Sequence, residues 1–414
     1  MTDPTTFAAS LPTRCEVLVI GAGPAGSACA RTLAQGGVDV LLADQHAFPR
    51  DKVCGDGLIP DAYAALTRLG VLDEVMTHAQ PASHVGCVGP SGGRIDVPGT
   101  MAVLPRKLLD DILCKAAVAA GARMLPPARF EAPLEEAGRV VGARLKVGDA
   151  SHPIRAHWLV LATGAVPQAL IAAGVCERRT PSGIALRGYV KNDAMIGRVT
   201  ALDVVWHRKL RPGYGWIFPC RDGVFNIGVG IAHSHNTLKN GRLGMKDVNL
   251  REVFDAFIQV YPPARELMAG GALQGDLKGA PLRCTLEGAR FSRPGLLVTG
   301  EAAGATYSFT GEGIGKAMET GIHAAQALLA GRTAQRDDAE VRADYEARLL
   351  ALKPRFDMYE KANRVNVYPW LADLVIWRAK KSPRLLARLS GVLNETSNPG
   401  NLLSFKGLRR LFME

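Results

Sequence analysis

The stretch Val17-Leu18-Val19-Ile20-Gly21-Ala22-Gly23-Pro24-Ala25-Gly26 decides the fold. Val17 to Ile20 is a short apolar run rich in β-branched residues, as a strand buried on both faces requires. The G-x-G-x-x-G of Gly21, Gly23 and Gly26 follows at once, and Ala30, Leu33 and Ala34 continue with helical spacing until Gly36-Gly37. In such a turn the first glycine allows the tight bend and the second lets a pyrophosphate approach the backbone. The third lets helix and strand pack closely. The helix start adds unpaired N–H groups and the positive end of a dipole. Val38 to Ala43 reads as the next strand, and Asp44 ends it close to the ~20-residue offset at which an acid grips a ribose hydroxyl. The agreement of strand, turn, helix and acid points to a dinucleotide site at Gly21, Gly23, Ala25, Gly26 and Asp44. A glycine-rich turn without a ligand is the plainer alternative.

Outward from that unit, the pattern predicts helices over Pro60–Leu69 and Arg106–Ala120 and strands between Ser83 and Thr100. Val140–Val147 alternates like a hairpin arm, and Trp158–Ala162 is a second buried-strand run. From Ser182 to Arg283 short strands with aromatic residues predict an antiparallel sheet carrying one helix, Val253–Tyr261. Leu296–Thr299 then returns to the first type of strand and leads through Gly300-Glu301 into a helix over Ile314–Leu329. The expected architecture is α/β. A nucleotide-binding domain comes from three segments (14–82, 101–166 and 290–330), with an inserted substrate domain (83–100 plus 167–289) and a basic helical region (331–414).

Composition narrows the classes. Of 414 residues, 47% are hydrophobic and 21% charged, which excludes wholesale disorder. The net charge of +11 fits phosphorylated ligands, an anionic membrane or nucleic acid. The nucleic-acid reading lacks basic residues interleaved with aromatics on a sheet. Eight scattered cysteines without a C-x-x-C pair indicate neither a zinc site nor a disulfide framework, and the histidines show no metal spacing. No secretory pattern opens the chain. The uncharged stretch Trp158–Cys176 is broken by Gly164 and Pro167, so it reads as strand, turn and short helix. The expectation is a cytoplasmic protein, either soluble or peripheral on the inner face of the membrane.

Further motifs carry a resemblance. Leu297-Val298-Thr299-Gly300-Glu301-Ala302-Ala303-Gly304, followed by Phe309-Thr310-Gly311-Glu312-Gly313-Ile314, resembles the late flavin-binding segment of FAD-dependent monooxygenases and reductases. That resemblance implies a glutathione-reductase-type Rossmann-like domain with FAD as cofactor. Glu301, where relatives carry aspartate, would meet the ribityl chain, and Gly311, Gly313 and Ile314 would lie at the helix start facing the flavin. Arg106 with Asp110 resembles the family's R-x-x-x-D beside the FAD phosphates. An ordinary i,i+4 pair is the alternative. The same alignment sets Phe130 by the adenine. No second G-x-G-x-x-G exists, so NAD(P)H or another reductant would bind transiently as electron donor.

Arg50-Asp51-Lys52-Val53-Cys54-Gly55-Asp56-Gly57-Leu58 and Gly213-Tyr214-Gly215-Trp216-Ile217-Phe218-Pro219 resemble the geranylgeranyl reductase family, in particular its menaquinone-tail-reducing branch. The resemblance implies reduction of carbon–carbon double bonds in a prenyl chain or similar hydrophobic substrate by hydride from flavin N5. Tyr214, Trp216 and Phe218 alternate, so on a strand they share a face and form an apolar wall, with Pro219 beside them. Core packing is the alternative. Cys54 is the candidate catalytic residue, as proton donor or as a shaper of the pocket, against the plain reading of a buried inert thiol.

Two other functions stay open at this stage. A monooxygenase or halogenase would share the fold. The halogenase segment W-x-W-x-I-P lacks its first tryptophan here, and the hydroxylase's late proline is absent from Gly304–Thr310. A non-catalytic flavin-binding scaffold is the reading from another class. Between Arg364 and Glu414 nine Lys/Arg stand against three acids, among Trp370, Trp377 and a leucine stripe at 385, 386, 389 and 393. This region would either lie in a membrane interface or cap a substrate tunnel with a solvated basic face.

Overall fold

The computed structural model describes residues 11–232 and 248–396, and between them the backbone of two short strands, 235–237 and 243–245. Residues 397–414 of the basic region lie outside the described residues. In chain order the first part comprises β1 (Arg14–Ile20), α1 (Pro24–Gln35), β2 (Val40–Ala43), β3 (Gly57–Leu58), α2 (Pro60–Arg68), α3 (Leu72–His78), β4 (Gln80–Val88), β5 (Arg94–Val103) and α4 (Arg106–Ala119). The middle part comprises β6 (Arg123–Met124), β7 (Arg129–Glu136), β8 (Arg139–Val147), β9 (Ala150–Leu161), α5 (Gln168–Ala172), β10 (Gly183–Lys191), β11 (Leu202–Val205), β12 (Gly213–Pro219) and β13 (Val224–Ala232). After β14 (His235–Thr237) and β15 (Leu243–Met245) come α6 (Leu250–Val260), α7 (Pro262–Gly270), β16 (Ala272–Leu273), β17 (Lys278–Leu282), β18 (Ser292–Arg293) and β19 (Leu296–Val298). The chain closes with α8 (Ile314–Ala334), α9 (Asp338–Ala362), α10 (Arg364–Val367), α11 (Trp370–Ala379) and α12 (Pro383–Leu393).

Two sheets organise these elements. In the first, the order is β18-β19-β9-β1-β2-β6, with β8 paired to β9 and β7 to β8. β1 runs parallel to β2 and β9, and β19 runs parallel to β9. Ile20 pairs with Ala43 and Leu161, and Leu161 with Val298, so four strands end at one level. That edge presents Gly21, Asp44, Ala162 and the turn at Glu301 together, at the carboxyl ends where open α/β sheets bind ligands. Alternate residues serve opposite faces. Val17, Val19 and Leu42 pack with Leu33, Ala324 and Tyr345 of the helices. Leu18, Ile20 and Leu41 pack with Val140, Leu145 and Ile154 of the β7–β9 meander.

The second sheet has nine strands, in the order β16-β10-β13-β12-β11-β4-β5-β3 with β17 beside β10. It is antiparallel except where β4 and β11 meet, a parallel pair. That exception corrects the all-antiparallel expectation, and it arises where two separate excursions of the chain dock against each other. The sheet also extends past 83–100, taking in Gln80–Ala82, Met101–Val103 and Gly57–Leu58. Beneath it lie two helices, not the one expected. Pro262 occupies the first turn of α7, where its missing N–H costs nothing, and so divides one apolar pattern at Tyr261. Phe254 and Phe257 pack on Ile217, Ile227 and Val229.

The C-terminal helices close over the other face. Leu371, Ala372, Ile376 and Leu385 pack on Ile95, Val97 and Trp206. Trp206 Nε1 donates to Asn366 Oδ1 at 2.8 Å, and Asp373 accepts from the Ser91 backbone and hydroxyl at 3.0 and 2.8 Å.

Candidate active site

A cavity of about 910 Å³ runs between the two sheets, from the glycine turn to the C-terminal helices. At its polar end the third glycine is obligatory, since a Cβ on Gly26 would lie 1.7 Å from the Gly21 carbonyl oxygen. Asp44 is buried at the end of β2, and its two oxygens accept the N–H groups of Ala22 at 2.9 Å and His46 at 3.0 Å. Arg50 Nη2 stands 3.6 Å from Asp44 Oδ2, and Asp44 lines the cavity. Arg106 holds Asp110 in a two-pronged ion pair, with contacts of 2.6 and 2.8 Å, and Arg50 reaches the same carboxylate at 3.0 Å. The i,i+4 pair is formed, and it leaves the Arg106 guanidinium beside the glycine turn. A Cβ on Gly23 would stand 3.5 Å from Arg50 Nη2 and 3.7 Å from Arg106 Nη2. The bare backbone there faces two guanidinium groups and the start of α1, a donor set suited to a pyrophosphate.

Gly21, Gly23, Ala25, Asp44, Arg106, Phe130, Glu301, Gly311, Gly313 and Ile314 all border this cavity, as do Cys54, Tyr214, Trp216 and Phe218. Two of the named residues do not. Gly26 packs behind the turn, and Pro219 falls on the opposite side of β12 from the aromatic trio, as period-two alternation requires.

The trio belongs to a longer aromatic ladder. Phe309, Trp206, Tyr214, Trp216 and Phe218 follow one another with ring centres 6.1 to 6.4 Å apart. Their polar atoms are hydrogen-bonded to the protein. Tyr214 donates to the Thr310 carbonyl and Trp216 Nε1 to Asn226 Oδ1 at 2.8 Å, leaving ring faces as the wall. Gly228 makes room for this, since a Cβ there would lie 2.3 Å from the Trp216 ring.

The Cys54 loop rests against that wall, Gly55 lying under Phe218. Asn226, fully buried, donates to the Cys54 carbonyl and to Asp56 Oδ2, both at 2.8 Å. Arg187, also buried, donates to Cys54 O at 3.3 Å and to Asp51 and Lys52 at 2.9 Å. Tyr189 donates to Asp56 as well. Burial lifts Asp56 to about 6 against these stabilising bonds. The Cys54 sulfur accepts the Asp56 N–H at 3.3 Å, and burial followed by the Asp56 charge raises its pKa, so it stays a neutral thiol. Sequence reasoning quoted Arg50 and Asp56 within a motif but gave no role to them or to Arg187, Asn226 and Asp61. The available signal was a lone polar residue inside an apolar strand, as in Val224-Phe225-Asn226-Ile227.

The chain matches the FAD binding domain model over residues 14–206. It is 34% identical over 341 residues to the menaquinone reductase of Mycobacterium tuberculosis (strain H37Rv), covering 77% of this chain and 78% of the relative. The chain belongs to the geranylgeranyl reductase family of FAD-dependent oxidoreductases. Another relative is digeranylgeranylglycerophospholipid reductase 1 of Methanopyrus kandleri, 29% identical over 310 residues, with 74% of this chain and 78% of the relative covered. In fold, this family member resembles a geranylgeranyl bacteriochlorophyll reductase-like protein from Thermoplasma acidophilum (TM-score 0.72, 23% identity, 98% and 97% of the two chains). It also resembles the flavin-dependent brominase Bmp2 (TM-score 0.71, 20% identity, 97% and 98% covered). The reductase uses FAD, with a reductant as electron donor. Its polar cavity end fits that cofactor in donor chemistry and in the space the glycines leave.

Proposed function

We propose that this reductase saturates carbon–carbon double bonds in the tail of a prenyl lipid. The observation that carries the reading is a single cavity whose two ends differ in kind. One end is a dinucleotide cradle. The other is a hydrocarbon wall of Ile95, Val97, Val375, Ile376 and Leu393 under the C-terminal helices. A long alkene has no polar handle, so shape and apolar contact must position it. The names of the relatives, reductases of menaquinone and of a digeranylgeranyl lipid, support the same class. Bound FAD supplies the hydride. Glycines 21, 23 and 26, Ala25, Asp44, Arg106, Phe130, Glu301, Gly311, Gly313 and Ile314 would hold it, and Cys54 would face the reacting double bond.

The delivery surface follows from the same helices. Trp370 and Trp377 are 58% and 47% exposed, Lys381 lies 4.9 Å over the Trp377 ring, and Lys380, Arg384 and Arg388 nearby in the chain are exposed as well. Among the described residues no helix is long and apolar enough to cross a membrane. We assign this face to an anionic lipid surface, on the inner face of the membrane, where each basic residue contributes about 1 kcal/mol. The cap and the interfacial reading are then two sides of one element.

The test is the mass of a long-chain prenyl quinone after anaerobic incubation with the reduced holoenzyme, with and without anionic vesicles. A gain of two hydrogens, faster on vesicles, is expected. An unchanged quinone that takes up oxygen or halide when air is admitted would overturn the reading in favour of the oxygen-using chemistry.

A further inference from the structure

A saturated double bond needs a proton as well as a hydride, and the fold holds a group built to carry one. Glu312 lines the cavity at the start of α8, next to Gly311, whose absent Cβ would lie 2.9 Å from the Tyr214 hydroxyl. Behind it is a buried charge cluster drawn from four parts of the chain. Lys316, 2% exposed, contacts Glu319 at 2.7 Å, Glu395 at 2.8 Å and Asp61 at 3.8 Å. Arg355 of α9 pairs with Glu395, and the Tyr307 hydroxyl donates to it at 2.7 Å. Asp61, at the start of α2, is 6% exposed, lies against Gly315, and neither of its oxygens has a hydrogen-bond partner.

Counting charges shows what the cluster must do. Glu312, Asp61, Glu319 and Glu395 are four carboxyl groups facing two cations, Lys316 and Arg355, and the nearby Tyr307, Tyr359 and Tyr214 bring no positive charge. Two carboxyls are therefore left without a cation of their own. Glu395 and Glu319 hold the short ion pairs, which leaves Asp61 and Glu312. The electrostatics agree. Burial, then the Asp61 charge, pushes Glu312 up to about 8, and burial pushes Asp61 up to about 7.

We propose that Glu312 is the general acid that protonates the substrate carbon, with Asp61 as the positioning residue that keeps it protonated. The inference rests on the prenyl-reductase reading. In the step, the alkene gains a hydride from the reduced cofactor and a proton from Glu312. The carboxyl O–H bond breaks, a C–H bond forms, and the bonding pair stays on Glu312 as carboxylate. The alkene is reduced by two electrons and the cofactor oxidised by two. Glu319, at the solvent side of the cluster, is the carboxyl through which it would be reprotonated from water.

The experiment compares wild-type, Glu312→Gln, Glu312→Asp and Asp61→Asn holoenzymes. Wild-type tail reduction should fall as pH rises through about 8, where Glu312 loses its proton. Glu312→Gln should retain FAD yet lose about 10²-fold or more in tail reduction, and the aspartate should recover part of it. Asp61→Asn should move the alkaline fall to lower pH. Infrared titration of the holoprotein should show a protonated-carboxyl band vanishing near that pH in wild type and absent from Glu312→Gln. A glutamine variant with wild-type turnover, or one that keeps the band, overturns the assignment. If wild type leaves every prenyl chain unreduced, the parent reading falls, and the infrared titration still decides whether Glu312 carries the proton.

Discussion

A single methyl group at position 26 would sit 1.7 Å from the Gly21 oxygen and 3.2 Å from the Ala162 side chain. Gly26→Val therefore cannot keep the turn, and it should purify colourless. A fully yellow variant would refute the cradle. Cys54 is a different case. Its neutral sulfur accepts one N–H and borders the cavity. Cys54→Ala should keep FAD and slow tail reduction by up to about tenfold, the 1.4 kcal/mol scale of a lost contact. Turnover equal to wild type would assign Cys54 to packing. At this scale the sequence was readable where the chemistry is local. The glycine motif, Asp44 and the alternating aromatics each lie within one or two elements. Asp61 and Glu312 were not readable as a pair, because only the packing of α2 against α8 brings them together.

Among the elements, the tie between the second sheet and the Cys54 loop matters most. Asn226 on β13 is its hub, with three hydrogen bonds of 2.8 Å to Trp216, Cys54 and Asp56. Asn226→Leu keeps the volume but leaves a buried indole N–H and a buried carboxyl group short of partners. The expected cost is about 3 kcal/mol, read by denaturant unfolding, together with loss of turnover while FAD is retained. Full stability in that variant would show the loop to be held by Arg187 and Tyr189 alone. Such links span 170 residues or more between Asn226 and the loop, so spacing within any one segment could not announce them. The parallel β4–β11 pair was hidden for the same reason. By contrast the Gly21 turn and the strands flanking it carry their own period.

For the whole molecule, pH sets opposing limits. Asp56, Asp61 and Glu312 titrate in the fold at about 6, 7 and 8, above their ordinary values of 3.8, 3.8 and 4.5. The folded state holds their protons after the unfolded chain has released them, so the stability they contribute is full below the ordinary values and is lost as pH rises towards about 8. Asp51, paired with Arg187 and Lys278, is depressed to about 2, so its contribution is lost only as pH falls from 3.8 through that value. Thermal unfolding should therefore show a midpoint that declines from weakly acid to weakly alkaline pH, with a shallower decline in Glu312→Gln. An unchanged slope would mean that Glu312 ionises normally.

The placement of β19 between β18 and β9 has a consequence for how the molecule is made. The glycine turn leaves the ribosome early, but Glu301 and helix 314–334, which packs along α1, emerge only after the whole second sheet. Pairings so distant in sequence form slowly and late. Cofactor capture is thus tied to the end of translation, and chains interrupted before residue 334 should remain colourless however well their first βαβ unit has formed.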